Sequence, residues 1–210
     1  MRCVATSDTH CNFPTTPDGD VFIHAGDATW SGTERELEVF SYWLQMLPHK
    51  YKIYVPGNHD RDMELDPHDH LFKDYGVHVL IDEAVTIEGV TFYGSPRTPE
   101  FHKWAFMYKP EEAKAIWDKI PYSTHVLITH GPPFGILDLA PGTLHEPYGR
   151  HVGCPELLKA VEDVAPIYQI MGHIHESGGM LEGDGTTFMN VAHLDEFHRP
   201  TKPAVVFEIG

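Results

Sequence analysis

The sequence is short of three things, and each shortage excludes something. Cysteine is rare: Cys3, Cys11 and Cys154 are the full complement of a 210-residue chain. Their number is odd and their spacing suits neither a metal knuckle nor a redox pair. A disulfide framework is excluded, and a reducing cytoplasm is the simplest setting. Long apolar runs are missing too. None approaches the roughly eighteen residues that a membrane-spanning helix needs. Met1 to Asp8 passes straight into a strand-like run, so a cleavable signal peptide is not expected. Positive charge is the third shortage. The chain has 15 Lys and Arg against 31 Asp and Glu, a formal net charge of −16. Binding to long nucleic acid or anionic membrane needs Lys/Arg patches, and this balance speaks against both. No repeat, low-complexity segment or linker divides the chain. Its length suits one domain over residues 1–210, and 41% hydrophobic residues suffice for a core.

Histidine, by contrast, is abundant at 16 residues. Five of them fall in short segments that each follow an apolar run. The segments are Ser7-Asp8-Thr9-His10, Gly26-Asp27, Gly57-Asn58-His59-Asp60, Thr129-His130-Gly131 and Gly172-His173-Ile174-His175. The runs before them are Cys3 to Ala5, Val21 to Ile23, Ile53 to Val55, Val126 to Ile128 and Ile167 to Met171. Apolar runs this short, bounded by Gly and Pro, read as buried strands. In open α/β sheets, ligands bind beyond the carboxyl ends of the strands. The five segments are therefore expected to meet along one sheet edge.

Helices are expected over Ser31 to Met46, Pro110 to Lys119 and Pro155 to Val164, with a shorter helical turn near His68 to Asp74. Ser31 with Glu34, or Thr33 with Glu36, has capping-box spacing at the start of the first. Further strands are expected at Val77 to Ile81, Ala84 to Ile87, Val90 to Tyr93, Thr187 to Val191 and Ala204 to Ile209. Glu88-Gly89 reads as a hairpin turn. The stretch from Gly131 to Gly153 shows no periodicity, and loops that long inside a compact domain usually serve function.

Asp, Asn and His in this mixture suit two hard or borderline divalent cations. Asp8 and His10 leave one strand end a single residue apart, as do His173 and His175. Asp27 can bridge, because each carboxylate oxygen can hold one ion. Asn58 offers a neutral carbonyl oxygen, and His130 a ring nitrogen. His59 adjoins a ligand without belonging to either set, which makes it the candidate general acid. Asp60 either orients that imidazole or caps the segment after it. Arg97 either meets the substrate or lies on the surface. Phe13, Trp30 and Phe134 either pack in the core or stack on a base. His145, Arg150 and His151 lie in the long loop and carry no assignment.

An Asp-x-His triplet alone is a weak sign and Gly-Asn-His-Asp a far stronger one. All five segments in this order resemble the calcineurin-like metallophosphoesterase superfamily. Tyr93-Gly94-Ser95-Pro96, Thr129-His130-Gly131-Pro132-Pro133, Val152 to Leu158 and Gly172 to Glu176 are most similar to its metallophosphoesterase-domain-containing (brain 239AB-like) family. The resemblance implies an α/β fold, a four-layer αββα sandwich of two mixed sheets flanked by helices, without a large cap domain. It implies that Asp8, His10, Asp27 and His175 hold one ion and that Asp27, Asn58, His130 and His173 hold the other. Mn²⁺ is the first choice of metal, with Fe, Ni²⁺, Co²⁺, Mg²⁺ and Zn²⁺ as alternatives. The implied activity is hydrolysis of small, nucleotide-like and even cyclic phosphodiesters. In that reaction a hydroxide held between the two ions attacks phosphorus. The expected partner is thus a small phosphodiester, not a long nucleic acid or a membrane, and the oligomeric state stays open. A phosphomonoesterase, a nuclease and a catalytically silent scaffold are the alternatives. Two departures bear on the substrate pocket: Arg97 stands where an aromatic is expected, and Ser177-Gly178-Gly179 replaces a Gly-Tyr-Gly-like turn. The substrate contacts expected there are Arg97 and Phe134.

Overall fold

In Cys3-Val4-Ala5 and the runs like it every residue is apolar, so both faces of each strand must be covered. The computed structural model describes residues 1–142 and 149–210 and shows how this is done. One sheet runs in the order Val205–Glu208, Arg2–Thr6, Val21–His24, Tyr51–Tyr54, Val77–Val79. Its strands are parallel except Val205–Glu208, which is antiparallel to Arg2–Thr6. The second sheet runs Gly179–Glu182, Thr187–Asn190, Tyr168–Met171, Val126–Thr129, Val90–Ser95, Glu83–Ile87. Its four central strands are parallel and its two edge strands antiparallel.

The period of two along each strand sorts residues into layers. Cys3, Ala5, Ile23, Ile53, Phe92, Val126, Ile128, Ile170 and Met189 share the core between the sheets. Val4, Phe22 and Tyr54 face the other way, onto Leu37, Phe40 and Leu44 of the Glu34–Met46 helix. Tyr93, Leu127, Met171 and Phe188 meet Trp117, Leu157 and Val161 on the opposite outer face. The result is the expected αββα sandwich. Phe40 is fully buried against Tyr54 and Phe72, with ring centroids at 4.8 and 6.1 Å. Phe40→Ala is expected to cost about 3–5 kcal/mol in urea unfolding, the usual price of a buried ring with its cavity.

Several boundaries differ from expectation. The first helix begins at Glu34 and is capped by Thr33, not Ser31. The Glu36 carboxylate accepts from Ser31 N–H at 3.2 Å and from Thr33 N–H at 3.1 Å, which holds Ser31 outside the helix. The helix expected from Pro110 to Lys119 is a 3₁₀ turn, Pro110–Glu112, followed by Ala113–Trp117. Pro155–Val164 is as expected. Glu88 and Gly89 turn the hairpin with φ of 50° and 86°. The edge strand Gly179–Glu182 was not expected; it is exposed along its length and so leaves no alternating pattern to read. Within the loop after Gly131, Leu139–Ala140 and Arg150–His151 pair as a short ribbon. The three cysteines are free, and among the described residues no helix is long and apolar enough to cross a membrane.

Candidate metal centre

The parallel strands deliver their carboxyl ends to one edge, and backbone bonds then join the loops there. Asp8 N–H donates to Gly26 O at 2.8 Å, His10 N–H to Asp27 O at 3.1 Å and Gly172 N–H to His130 O at 3.0 Å. Ser7 N–H donates to Val191 O at 3.0 Å, which ties the first sheet to the second at this edge. Asp8, His10, Cys11, Asp27 and His173 all sit in the left-handed region, with φ of 51°, 41°, 62°, 53° and 69°. Each such non-glycine residue costs about 1–3 kcal/mol, and clustering of this kind marks functional sites. Two motif glycines are needed for close approach. A Cβ on Gly57 would strike the Asp27 carboxylate, and one on Gly172 the Asp8 carboxylate.

The ligand atoms gather in overlapping groups. Those of Asp8, His10 and His175 lie within 4.8 Å of one another, as do those of His10, Asp27 and His59 and those of Asp27, His130 and His173. Asp27 reaches both sides: Oδ1 is 3.3 Å from His130 Nε2 and Oδ2 is 3.9 Å from His10 Nε2. Asp8 Oδ1 is 3.3 Å from His175 Nε2, and Asn58 Oδ1 is 3.0 Å from His130 Nε2.

The imidazoles are also oriented from behind. Nδ1 of His10 lies 2.9 Å from Thr29 O, that of His130 3.0 Å from Ala25 O and that of His175 3.0 Å from Asp195 O. A backbone carbonyl on Nδ1 fixes the proton there and turns Nε2 to the cluster, the arrangement metal-bound histidines use. This donor set fits divalent cations.

Charge reinforces the reading. Burial opposes ionisation of Asp8 and Asp27, yet the His175 contact and the His130 charge hold them well below the usual carboxylate range. Burial likewise opposes charge on His130 and His175, but the Asp27 and Asp8 carboxylates outweigh it and raise both to about 9. Burial, then the His130 charge, lowers His173 to about 4. In the metal-free fold the charged His130 and His175 add stability that is fully present below 6.5 and lost as pH rises through about 9. A cation on the same nitrogens must displace those protons. Metal affinity should therefore climb between about pH 7 and pH 9, with about two protons released per loaded centre. Titration calorimetry in buffers of different ionisation enthalpy measures that number, and a buffer-independent heat would refute it.

The structure brings the seven expected ligands and His59 together, but not the other three site residues. Asp60 does not touch the His59 ring. Its buried carboxylate accepts from Gly57 N–H at 2.8 Å, Ala28 N–H at 3.2 Å, Thr29 N–H at 2.9 Å and the Thr29 hydroxyl at 2.7 Å. It braces the Asn58 turn against the Asp27 loop, because a buried carboxylate needs those donors more than a neighbouring imidazole does. The His59 ring is held instead by the Trp30 carbonyl, 2.6 Å from Nδ1. Arg97 turns away: its Nε donates to Asp82 at 3.0 Å, and it lines neither the metal pocket nor the groove beside it. Phe134 also lines neither, with its ring 5.6 Å from His151. Phe13 stacks on Trp43 at 4.8 Å in the packing under the first helix. Trp30 lies over His10 at 4.6 Å. His145 lies outside the described residues.

Six residues lining the pocket were not anticipated: Phe101, His102, Trp104, Glu176, Glu196 and His198. Trp104 stacks on His59 at 4.2 Å, and His198 lies 4.9 Å from Trp30. They come from irregular segments; only the dense aromatic and His content of Phe101 to Trp104 gave a signal. The pocket, about 310 Å³, shares Phe101 and His173 with a larger groove of about 650 Å³. Pro99, Pro132, Pro141, Arg150 and His151 contribute to the groove walls.

Known proteins are similar to this chain in sequence and in fold. The chain is 37% identical to UPF0046 protein K07C11.7 of Caenorhabditis elegans, over 100% of its own length and 75% of the relative's. It is 34% identical to human Metallophosphoesterase domain-containing protein 1, over 99% and 71%. The phosphopantetheinyl hydrolase PptH of Mycobacterium tuberculosis shares the fold, with a TM-score of 0.58 at 16% identity over 90% of this chain and 88% of that one. The sequence profile of the calcineurin-like phosphoesterases matches residues 1–177, a span containing all seven expected ligands and His59. With its fold, its ligand edge and its full-length relatives all agreeing, the chain belongs to the calcineurin-like phosphoesterase family.

Proposed function

We propose that this phosphoesterase hydrolyses small phosphodiesters, nucleotide-like ones among them, at a two-metal centre. Asp8, His10, Asp27 and His175 would hold one cation, and Asp27, Asn58, His130 and His173 the other. When bound, two such cations neutralise phosphoryl oxygens and lower the pKa of water. Mn²⁺ is the proposed metal, since the carboxylates and the Asn58 carbonyl suit it; the imidazoles also admit Fe, Ni²⁺ or Zn²⁺.

The chain's own residues do the rest. His59 is fixed by the Trp30 carbonyl on Nδ1 and by Trp104 against its face, leaving Nε2 to protonate the leaving oxygen. Asp60 keeps its loop in place. The observation that carries the diester reading is the wall shared by pocket and groove. A phosphodiester has two ester arms, and the adjoining groove can seat one of them against Phe101 and the prolines. No Lys or Arg is among the described residues lining the metal pocket, while Glu176 and Glu196 are. A long polyanion would meet repulsion there, which favours small diesters over nucleic acid. The free cysteines suit a reducing compartment.

The test is a panel of cyclic and linear diesters with matched monoesters, assayed with Mn²⁺, Ni²⁺, Co²⁺, Mg²⁺ and Zn²⁺. Diesters should be turned over faster than their monoesters. The reverse order would make the protein a phosphomonoesterase.

A further inference from the structure

Glu34, His68 and His70 form a separate group of metal-competent side chains, none of which lines the metal pocket. Their ligand atoms lie within 4.8 Å of one another. Glu34 opens the first long helix, and its Oε1 is 4.0 Å from His70 Nε2, too far for a hydrogen bond. The His68 and His70 rings are 5.9 Å apart. His68 is the unusual member. It is 8% exposed, its backbone is left-handed with φ of 50°, and neither ring nitrogen has a hydrogen-bond partner among the described residues.

A buried imidazole with both nitrogens unpartnered is costly, at roughly 1–3 kcal/mol per unsatisfied group. A ligand that takes a nitrogen lone pair removes that cost. Two imidazoles and a carboxylate suit Zn²⁺, Ni²⁺, Co²⁺ or Cu²⁺, with water in the remaining position. In a tetrahedral site with bonds of about 2.0–2.2 Å, ligand atoms are about 3.4 Å apart. The Glu34 and His70 side chains, each 61% exposed, can rotate to close that difference. The surrounding segment is tied down by hydrogen bonds and packing. Asp66 accepts from His68 N–H at 2.9 Å, Leu71 N–H donates to His68 O at 2.8 Å, and the Ser41 hydroxyl donates to Leu71 O. Phe72 is buried against Tyr54 with ring centroids 5.3 Å apart.

We propose that Glu34, His68 and His70 bind one divalent transition metal, Zn²⁺ being the reference ion, at a mononuclear site distinct from the metal pocket. The ion ties the start of the Glu34–Met46 helix to the segment around Asp69–Phe72. That helix start follows the loop whose Trp30 carbonyl holds His59, so the ion stabilises the scaffold and takes no part in the chemistry.

The experiment is equilibrium dialysis of chelator-stripped, full-length protein against Zn²⁺, then elemental analysis and thermal melting. Wild type should retain one Zn²⁺ more than His70→Ala or Glu34→Gln, and part of its Zn²⁺-dependent rise in melting temperature should vanish in both. Exposed residues are chosen so that folding survives; His68→Ala serves as a further check. In an Asp27→Asn background, whose pocket holds one ion or fewer, the extra equivalent should remain, and the visible bands of tetrahedral Co²⁺ that it gives should vanish when His70→Ala is added. Equal metal content in wild type and His70→Ala overturns the proposal, as does an Asp27→Asn protein that retains no metal attributable to His70. Either failure leaves the reading of the pocket intact, because that reading depends on the equivalents lost with Asp27.

Discussion

Asp27→Asn is expected to reduce turnover about a thousandfold or more, the scale of several kcal/mol of metal-ion stabilisation lost. Asp27 reaches toward both proposed ligand sets, with Oδ1 beside His130 at 3.3 Å and Oδ2 beside His10 at 3.9 Å. An asparagine presents one donor oxygen and aims an NH₂ group at the other side, where it repels a cation and has no charge to offer an imidazole. Metal content in the pocket should fall from about two ions to one or fewer. Asn is close enough in shape for the fold to survive, and circular dichroism checks that. Full occupancy with near-normal turnover would remove Asp27 from the bridging role.

The second large effect concerns His59. His59→Gln should lower turnover of diesters with poor leaving groups by about 10²–10⁴-fold, the usual size of a general-acid contribution. Metal content should not change, because His59 belongs to neither ligand set proposed for the cations. A p-nitrophenolate leaving group needs little protonation, so bis-p-nitrophenyl phosphate should suffer much less. Equal losses on both substrates, or loss of metal, would show that His59 is not chiefly an acid.

The contrast between these residues and those left open shows what was legible. Asp8, His10, Asp27, Asn58, His130, His173 and His175 each lie within four residues of a strand's carboxyl end, and a parallel sheet must bring such positions to one edge. Their order in the chain therefore carried the site's geometry. The layers were legible for a similar reason: runs apolar on both faces, such as Cys3-Val4-Ala5, demand cover on both sides. The alternatives at Asp60 and Arg97 stay open in the sequence because adjacency says nothing about direction. Asp60 is beside His59 in the chain, yet the unpaired N–H groups of Gly57, Ala28 and Thr29 draw its carboxylate inward. Asp82, across the hairpin, draws Arg97 away from the pocket. Trp104 and Phe101 left only a compositional signal in the sequence, and His198 left none. They reach the pocket from loops without periodicity, and only tertiary packing brings them to His59, His173 and Trp30.

The central claim is that one carboxylate joins two cations at this sheet edge. A crystal structure of the Mn²⁺-loaded protein, with anomalous data collected near the manganese edge, tests it most directly. Two anomalous peaks about 3.5–4 Å apart, each bonded to one oxygen of Asp27, are predicted. A single peak in the pocket, or two peaks of which only one touches Asp27, would contradict the account.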